Sequence, residues 1–105
     1  MVRVALLLTV LLAACDKPKV QDCDRATRNY FKLKYWEEAE ALIAAAPPEE
    51  REALRYRKQE ELEPRMMRSI DLAVQKCVSG ADKARVRCWT KATTVKEAEA
   101  CKNDD

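Results

Sequence analysis

The chain has 105 residues, enough for one domain but with little material for a hydrophobic core. One glycine and four prolines argue against a strand-rich fold, and the strong helix formers Ala, Leu, Glu, Lys and Arg dominate. Twenty basic residues nearly balance eighteen acidic ones and alternate with them, which argues against a nucleic-acid-binding protein, and histidine, the commonest general base and metal ligand, is absent. We therefore predict an all-α protein, a small hairpin or bundle of three to four helices.

The first fourteen residues have the layout of a secretory signal. Arg3 supplies a positive charge, residues 4–12 form an apolar run that Thr9 alone interrupts, and small residues precede Cys15. The run is too short to cross a hydrocarbon core of roughly 30 Å as a permanent helix. We therefore predict that residues 1–14 are a cleaved leader and that the protein is exported.

The leader ends in the sequence Leu12-Ala13-Ala14-Cys15, which resembles the lipobox of bacterial lipoprotein precursors. The resemblance implies transfer of diacylglycerol to the Cys15 thiol, cleavage before Cys15 and acylation of the new amine, so that palmitate-type chains anchor the protein to a membrane. The alternatives are a short signal anchor or an ordinary cleaved signal, with Cys15 as a fifth disulfide cysteine. Asp16 resembles an inner-membrane retention signal, but Lys17 beside it leaves open which membrane holds the anchor.

Four cysteines remain once Cys15 carries lipid: Cys23, Cys77, Cys88 and Cys101. An even number in so small an exported domain predicts two disulfides, and the periplasm is the compartment that forms them. The spacings contain no C-x-x-C, so a zinc site or a redox pair is the weaker interpretation. Three pairings are possible. We favour Cys23–Cys77, which closes a long helical hairpin, with Cys88–Cys101, which joins the last two short helices.

The mature chain divides into a polar tether, residues 15–22, and a single helical domain, residues 23–105. A first helix is predicted over residues 24–45, followed by Pro47 and Pro48, which end it. Its apolar stripe consists of Tyr30, Leu33, Ala39, Leu42, Ile43 and Ala46. Phe31 and Tyr35 widen this stripe, and Trp36 lies at its margin.

A second helix is predicted over residues 49–78, with Pro64 expected to kink or divide it. Its second half carries the core face: Met66, Ile70, Ala73 and Cys77. Ser79 with Asp82 resembles a capping box that opens a third helix over residues 81–92. Thr94 with Glu97 repeats the pattern and opens a last short helix.

The sequence offers no catalytic constellation. It has no glycine-rich loop and no nucleophile with a base, and paired carboxylates such as Glu37 and Glu38 point about 100° apart on a helix. We expect no enzymatic activity, no cofactor and no metal. The aromatic residues between 30 and 36 are expected mainly in the core, with Tyr35 and Trp36 as the best candidates for exposure, and the mixed-charge segment 49–63 is expected to be a solvated helix.

These observations predict an envelope lipoprotein, anchored in a membrane and facing the periplasm, that acts without catalysis through contact with another envelope protein. It would be a structural or accessory subunit, with no nucleic-acid partner. One alternative is a pilotin-like chaperone of an outer-membrane component, which needs a groove on the helical domain. Another is a disulfide-stabilised inhibitor or effector, which needs a projecting loop.

Overall fold

The computed structural model describes residues 17–103, and within that range the protein is helical without a strand. The predicted all-α fold class is therefore confirmed. The leader and Cys15 lie outside the described residues. The elements are α1 (Val20–Ala45), a 3-10 turn (Pro48–Glu50), α2 (Arg51–Gly80), α3 (Lys83–Lys91) and α4 (Val95–Glu99).

Helix α1 begins one turn earlier than the sequence predicted. Residues 20–22, assigned to the tether, are helical, and the Cys23 backbone N–H donates to the Lys19 carbonyl at 3.0 Å. The helix ends at Ala45 because a residue before proline disfavours helical angles, and Ala46 accordingly has the extended angles φ −78° and ψ 155°. The tether before the domain is therefore shorter than expected.

Helix α2 runs unbroken through Pro64, so the chain is not divided at this proline. Proline has no N–H to donate to the carbonyl four residues earlier, and this missing bond was the reason to expect a kink or break. Leu62 and Met66, two residues to either side, are both buried. Their burial stabilises the continuous helix against the loss of one hydrogen bond.

Two disulfides staple the helices, with the pairing that the sequence favoured. Cys23–Cys77 joins the first turn of α1 to the end of α2. Cys88–Cys101 joins α3 to the second residue after α4. The first bridge lies inside the larger core cluster, whereas Cys88 of the second is exposed. The larger cluster contains Cys23, Ala26, Cys77, Ala81 and Val86, with Val74, Val78 and Trp89 packed against it.

Two residues of α1 differ in burial from their prediction. Leu42, placed in the core by its spacing, is 55% exposed, whereas Tyr35, a candidate for exposure, is only 9% exposed. Tyr35 packs with Ala39 and Leu62 in the second core cluster, and its hydroxyl donates to the Lys58 carbonyl of α2. Burial raises the pKa of that hydroxyl, and the charge of nearby Glu61 adds to the shift. A tyrosine can be buried here because its hydroxyl has an acceptor.

Replacing Tyr35 with phenylalanine is expected to destabilise the protein by about 1 kcal/mol, because it removes one hydrogen bond between α1 and α2 but keeps the ring in the core. Urea denaturation followed by circular dichroism measures the change. Tyr56→Phe is the matched control, since Tyr56 is 66% exposed and its substitution should leave the midpoint unchanged. Equal effects of the two substitutions would contradict the role given to the Tyr35 hydroxyl.

The two short helices are capped, but one cap differs from the prediction. Asp82, not Ser79, caps α3, and its carboxylate accepts from the Arg85 N–H at 2.8 Å. Ser79 still belongs to α2 because that helix continues to Gly80. Thr94 caps α4 as predicted, accepting from the Glu97 N–H at 3.1 Å. The Thr93 N–H and hydroxyl donate to the Glu97 carboxylate and hold its pKa below the usual value.

Candidate functional site

A groove follows the contact between α1 and α2 on one face of the domain. It consists of two adjoining cavities, of about 500 Å³ and 360 Å³, that share Thr27, Tyr30 and Ala73. We call this surface the α1–α2 groove. The first cavity extends to Lys76, Cys77, Gly80, Ala81, Arg85, Trp89 and Glu99. The second extends to Phe31, Lys34, Tyr35, Glu38, Arg65, Ser69 and Ile70.

Small residues of α2 leave the space that forms the groove. Ala73 lies where the two cavities join, and Gly80 and Ala81 line the end next to α3. A Cβ atom added to Gly80 would meet no heavy atom within 4 Å, so the groove is open beside this residue. The aromatic residues Tyr30 and Trp89 line the same cavity.

Asn29 of α1 fixes α3 at the end of the groove. Its side-chain amide donates to the Trp89 carbonyl at 2.7 Å and to the Ala92 carbonyl at 3.0 Å. These carbonyls belong to the last turn and the C-cap of α3. At that end of a helix, no later backbone N–H of the same helix donates to the carbonyls. The Trp89 indole N–H in turn donates to the Ala98 carbonyl at 3.0 Å. The sequence analysis missed Asn29; its only signal was a polar residue beside the apolar stripe of α1.

Arg85 is the most unusual side chain in the groove. Its guanidinium lies over the Trp89 ring, 4.5 Å from the centroid, in cation–π geometry. Its Nε atom is enclosed by protein and has no hydrogen-bond partner in the described part of the chain. An enclosed donor without an acceptor costs free energy, and the cation–π contact with Trp89 offsets part of that cost.

The charges along the groove are predominantly positive. Lys34 and Arg65 line one cavity and Lys76 and Arg85 the other, and each cavity has one acidic residue. Those acidic residues are Glu38 and Glu99. The arrangement is an apolar channel with a basic border, which favours a ligand that combines apolar groups with carboxylates.

The residues that the sequence analysis named as candidates lie in different parts of the structure. The four cysteines of the domain are all in disulfides, so none offers a thiol. Of the aromatic residues between 30 and 36, Tyr30 and Phe31 line the groove, Tyr35 is buried and Trp36 is half-buried beside it. The mixed-charge segment 49–63 is mostly exposed helix, apart from buried Leu62 and half-buried Leu54 and Lys58.

Within residues 17–103, no helix has both the length and the apolar character needed to cross a membrane. The same residues contain no group of three or more His, Cys, Asp or Glu side chains placed to hold a metal ion. Comparison with models of known protein families, with curated proteins and with solved structures finds no match to this chain.

Proposed function

We propose that this protein is a lipid-anchored component of the bacterial envelope that faces the periplasm and binds a segment of another envelope protein in the α1–α2 groove. It acts as an accessory or structural subunit, without catalysis. The lipobox sequence ending in Cys15 supports the anchor, and the two disulfides are consistent with an oxidising compartment. The α1–α2 groove is the observation that carries the binding role.

The length of the groove favours a peptide segment over a small molecule. Its lining residues on α1 run from Thr27 to Glu38, which at 1.5 Å per residue is about 16 Å of helix. That distance matches about three helical turns of a bound segment. Amphipathic helices bind such grooves through apolar side chains spaced three or four residues apart.

The chemistry of the border specifies the partner further. Lys76 and Arg85 at one end favour acidic side chains or backbone carbonyls from the partner. Tyr30 in the middle offers an apolar wall to both cavities. The expected partner is therefore a short amphipathic segment with an acidic residue at the end that lies beside α3.

Photocrosslinking tests the groove directly. Tyr30→p-benzoylphenylalanine places the photoreactive group in the groove, and Tyr56→p-benzoylphenylalanine places the same group on an exposed part of α2 outside it. Irradiated cells are expected to give one discrete protein adduct from position 30 and none from position 56. The same adduct from both positions, or from neither, would refute the groove as the binding site.

A substitution that fills the groove provides a second test of the binding site. Ala73→Leu adds bulk at the junction of the two cavities, whereas Ala53→Leu makes the same change at an exposed position of α2. Ala73→Leu is expected to abolish the adduct formed at position 30, and Ala53→Leu to leave it unchanged. Circular dichroism of both variants verifies that the helical fold is kept.

The lipid anchor has a separate test. Mass spectrometry of the processed chain should show acyl chains on Cys15, and Cys15→Ser should move the protein from the membrane fraction to the soluble periplasmic fraction. Two or three acyl chains bind a membrane stably, so the shift should be nearly complete. If the Cys15→Ser chain stays with the membranes and has the same apparent mass as the wild-type chain, a lipid on Cys15 is not what holds the wild type there.

A pilotin-like chaperone role is the second candidate, because it also requires a groove on the helical domain. It predicts that the protein fractionates with the outer membrane and that the photocrosslinked adduct contains an outer-membrane protein. The inhibitor alternative needs a projecting loop. Between the described elements the connections are short, at residues 46–47, 81–82 and 92–94, so they do not support this alternative.

A further inference from the structure

A second surface, separate from the groove, collects basic side chains from the start of α1 and from α3. Lys83, Arg87 and Lys91 are four residues apart, so they form one stripe along α3. Lys19 and Arg25 lie beside this stripe, and the two helices border a shallow cleft of about 440 Å³. We call these five residues the basic face.

Within residues 17–103, the carboxylates that line the cleft are fewer than its basic side chains. All five basic residues are exposed, and the single carboxylate that lines the cleft is the half-buried Asp22. The ion pairs that the structure shows between described residues use other basic side chains: Arg28, Arg55, Lys58 and Arg65. The face therefore carries an excess of positive charge that attracts anions.

The basic face is next to the point where the chain leaves the domain. Pro18 is buried and lines the same cleft, and it is three residues from Cys15. Three extended residues span at most about 10 Å. This distance is close to the Debye length of about 8–10 Å at physiological salt, so a membrane that held Cys15 would attract the face without much screening.

We propose that the basic face rests on an anionic phospholipid surface and orients the domain on the membrane. A broad array of exposed cations suits a surface of many phosphates better than a single bound anion. The position of the face beside the tether favours a lipid surface over a nucleic acid. The orienting role rests on the proposed lipid anchor, whereas the affinity for anionic lipid is a property of the folded domain itself.

This orientation has a consequence for the α1–α2 groove. Arg85 and Trp89, which line the groove, are two residues from members of the stripe Lys83, Arg87 and Lys91. Two residues correspond to about 200° around a helix, so α3 presents the groove and the basic face on nearly opposite sides. A domain that rests on its basic face exposes the groove to the periplasm, where a protein partner can reach it.

Lysine footprinting tests the proposal residue by residue. The processed chain, residues 15–105 with Cys15→Ser so that it cannot be lipidated, is mixed with vesicles of phosphatidylcholine alone or with about 30% phosphatidylglycerol. A membrane-impermeant amine reagent then labels exposed lysines, and mass spectrometry compares Lys83 and Lys91 with Lys34 and Lys76 of the groove. Labelling of Lys83 and Lys91 is expected to fall about fivefold, and only with the anionic vesicles at low salt.

Charge reversal supplies the matched variants. Each basic residue near an anionic surface contributes a factor of about five to binding, so Arg25→Glu with Arg87→Glu should weaken partitioning to anionic vesicles by at least about 25-fold and abolish the protection. Arg57→Glu with Arg68→Glu makes the same change in net charge at exposed positions of α2. This control pair should retain the protection of Lys83 and Lys91.

Four outcomes would overturn the proposal. They are equal labelling of all four lysines with both kinds of vesicle, equal losses in the two double variants, full protection by inorganic phosphate, and stronger protection by a DNA duplex at the same phosphate concentration. The third would indicate a site for one anion, and the fourth a nucleic-acid surface. Because the chain tested cannot carry lipid, a failed footprint is distinct from a failed lipid anchor, which the fractionation of wild type and Cys15→Ser decides.

Discussion

Removal of the Cys23–Cys77 disulfide is expected to bring the protein close to unfolding. The bridge closes a loop between residues 54 positions apart, and the loop-closure model assigns such a bridge about 4 kcal/mol. Both half-cystines are buried in the larger core cluster, so Cys23→Ala with Cys77→Ala also removes packing. A domain of this size has few kcal/mol to lose. Urea denaturation at neutral pH measures the fall in unfolding free energy.

The second disulfide provides the internal comparison. Cys88–Cys101 closes a separation of 13 residues, for which the same model gives about 3 kcal/mol. One of its half-cystines is exposed, so Cys88→Ala with Cys101→Ala should cost less in packing and should mainly loosen α3 and α4. Equal losses of unfolding free energy in the two double variants would contradict the view that loop length and burial set the contribution of each bridge.

Met66→Ala is expected to destabilise the protein by about 3 kcal/mol, because the substitution leaves a cavity in a core that cannot easily collapse. Met66 is completely buried in α2, two residues after Pro64, and is one of the two largest fully buried side chains in the described residues. Its loss also removes packing from the segment where the helix already lacks a backbone hydrogen bond. Thermal and urea unfolding both measure the change.

The neighbouring methionine is a close control for this substitution. Met67 is 55% exposed, so Met67→Ala should change the unfolding free energy by less than about 0.5 kcal/mol. The two variants differ only in which side of one helix loses the same side chain. A large loss from Met67→Ala, or a small one from Met66→Ala, would show that α2 packs on a different face from the one described.

Much of the fold could be predicted from the sequence because its causes are local. Helix formers dominate, Pro47 and Pro48 must end a helix, and Thr94 with Glu97 must cap one. Two disulfides were predicted from the four cysteines that remain when Cys15 is set aside, and the hairpin that Pro47 and Pro48 imply favoured this pairing among three. The leader and its lipobox stay predictions, because residues 1–16 lie outside the described part of the chain.

The details that failed were those in which a distant residue decides. The burial of Tyr35 depends on α2, because its hydroxyl finds an acceptor in the Lys58 carbonyl. At Pro64 the sequence predicted a kink or a division, and the helix is not divided there, with buried residues on both sides of the proline. Helical periodicity identifies an apolar face of a helix, but it does not identify which residues of that face another helix buries.

By itself, the sequence determined the helical class, the number of cysteine pairs and the expectation of an anchored, exported protein, since each rests on residue type and short-range spacing. Only the tertiary structure decided where surfaces form. The α1–α2 groove brings together residues such as Tyr30 and Trp89, and the basic face joins Lys19 to Lys83. In the sequence, the segment 83–96 already contains basic residues and no acidic one, whereas Lys19 and Arg25 lie among aspartates. Packing of α3 against the start of α1 brings Lys19 and Arg25 to the α3 stripe, because side chains far apart in sequence come to share one side of the molecule.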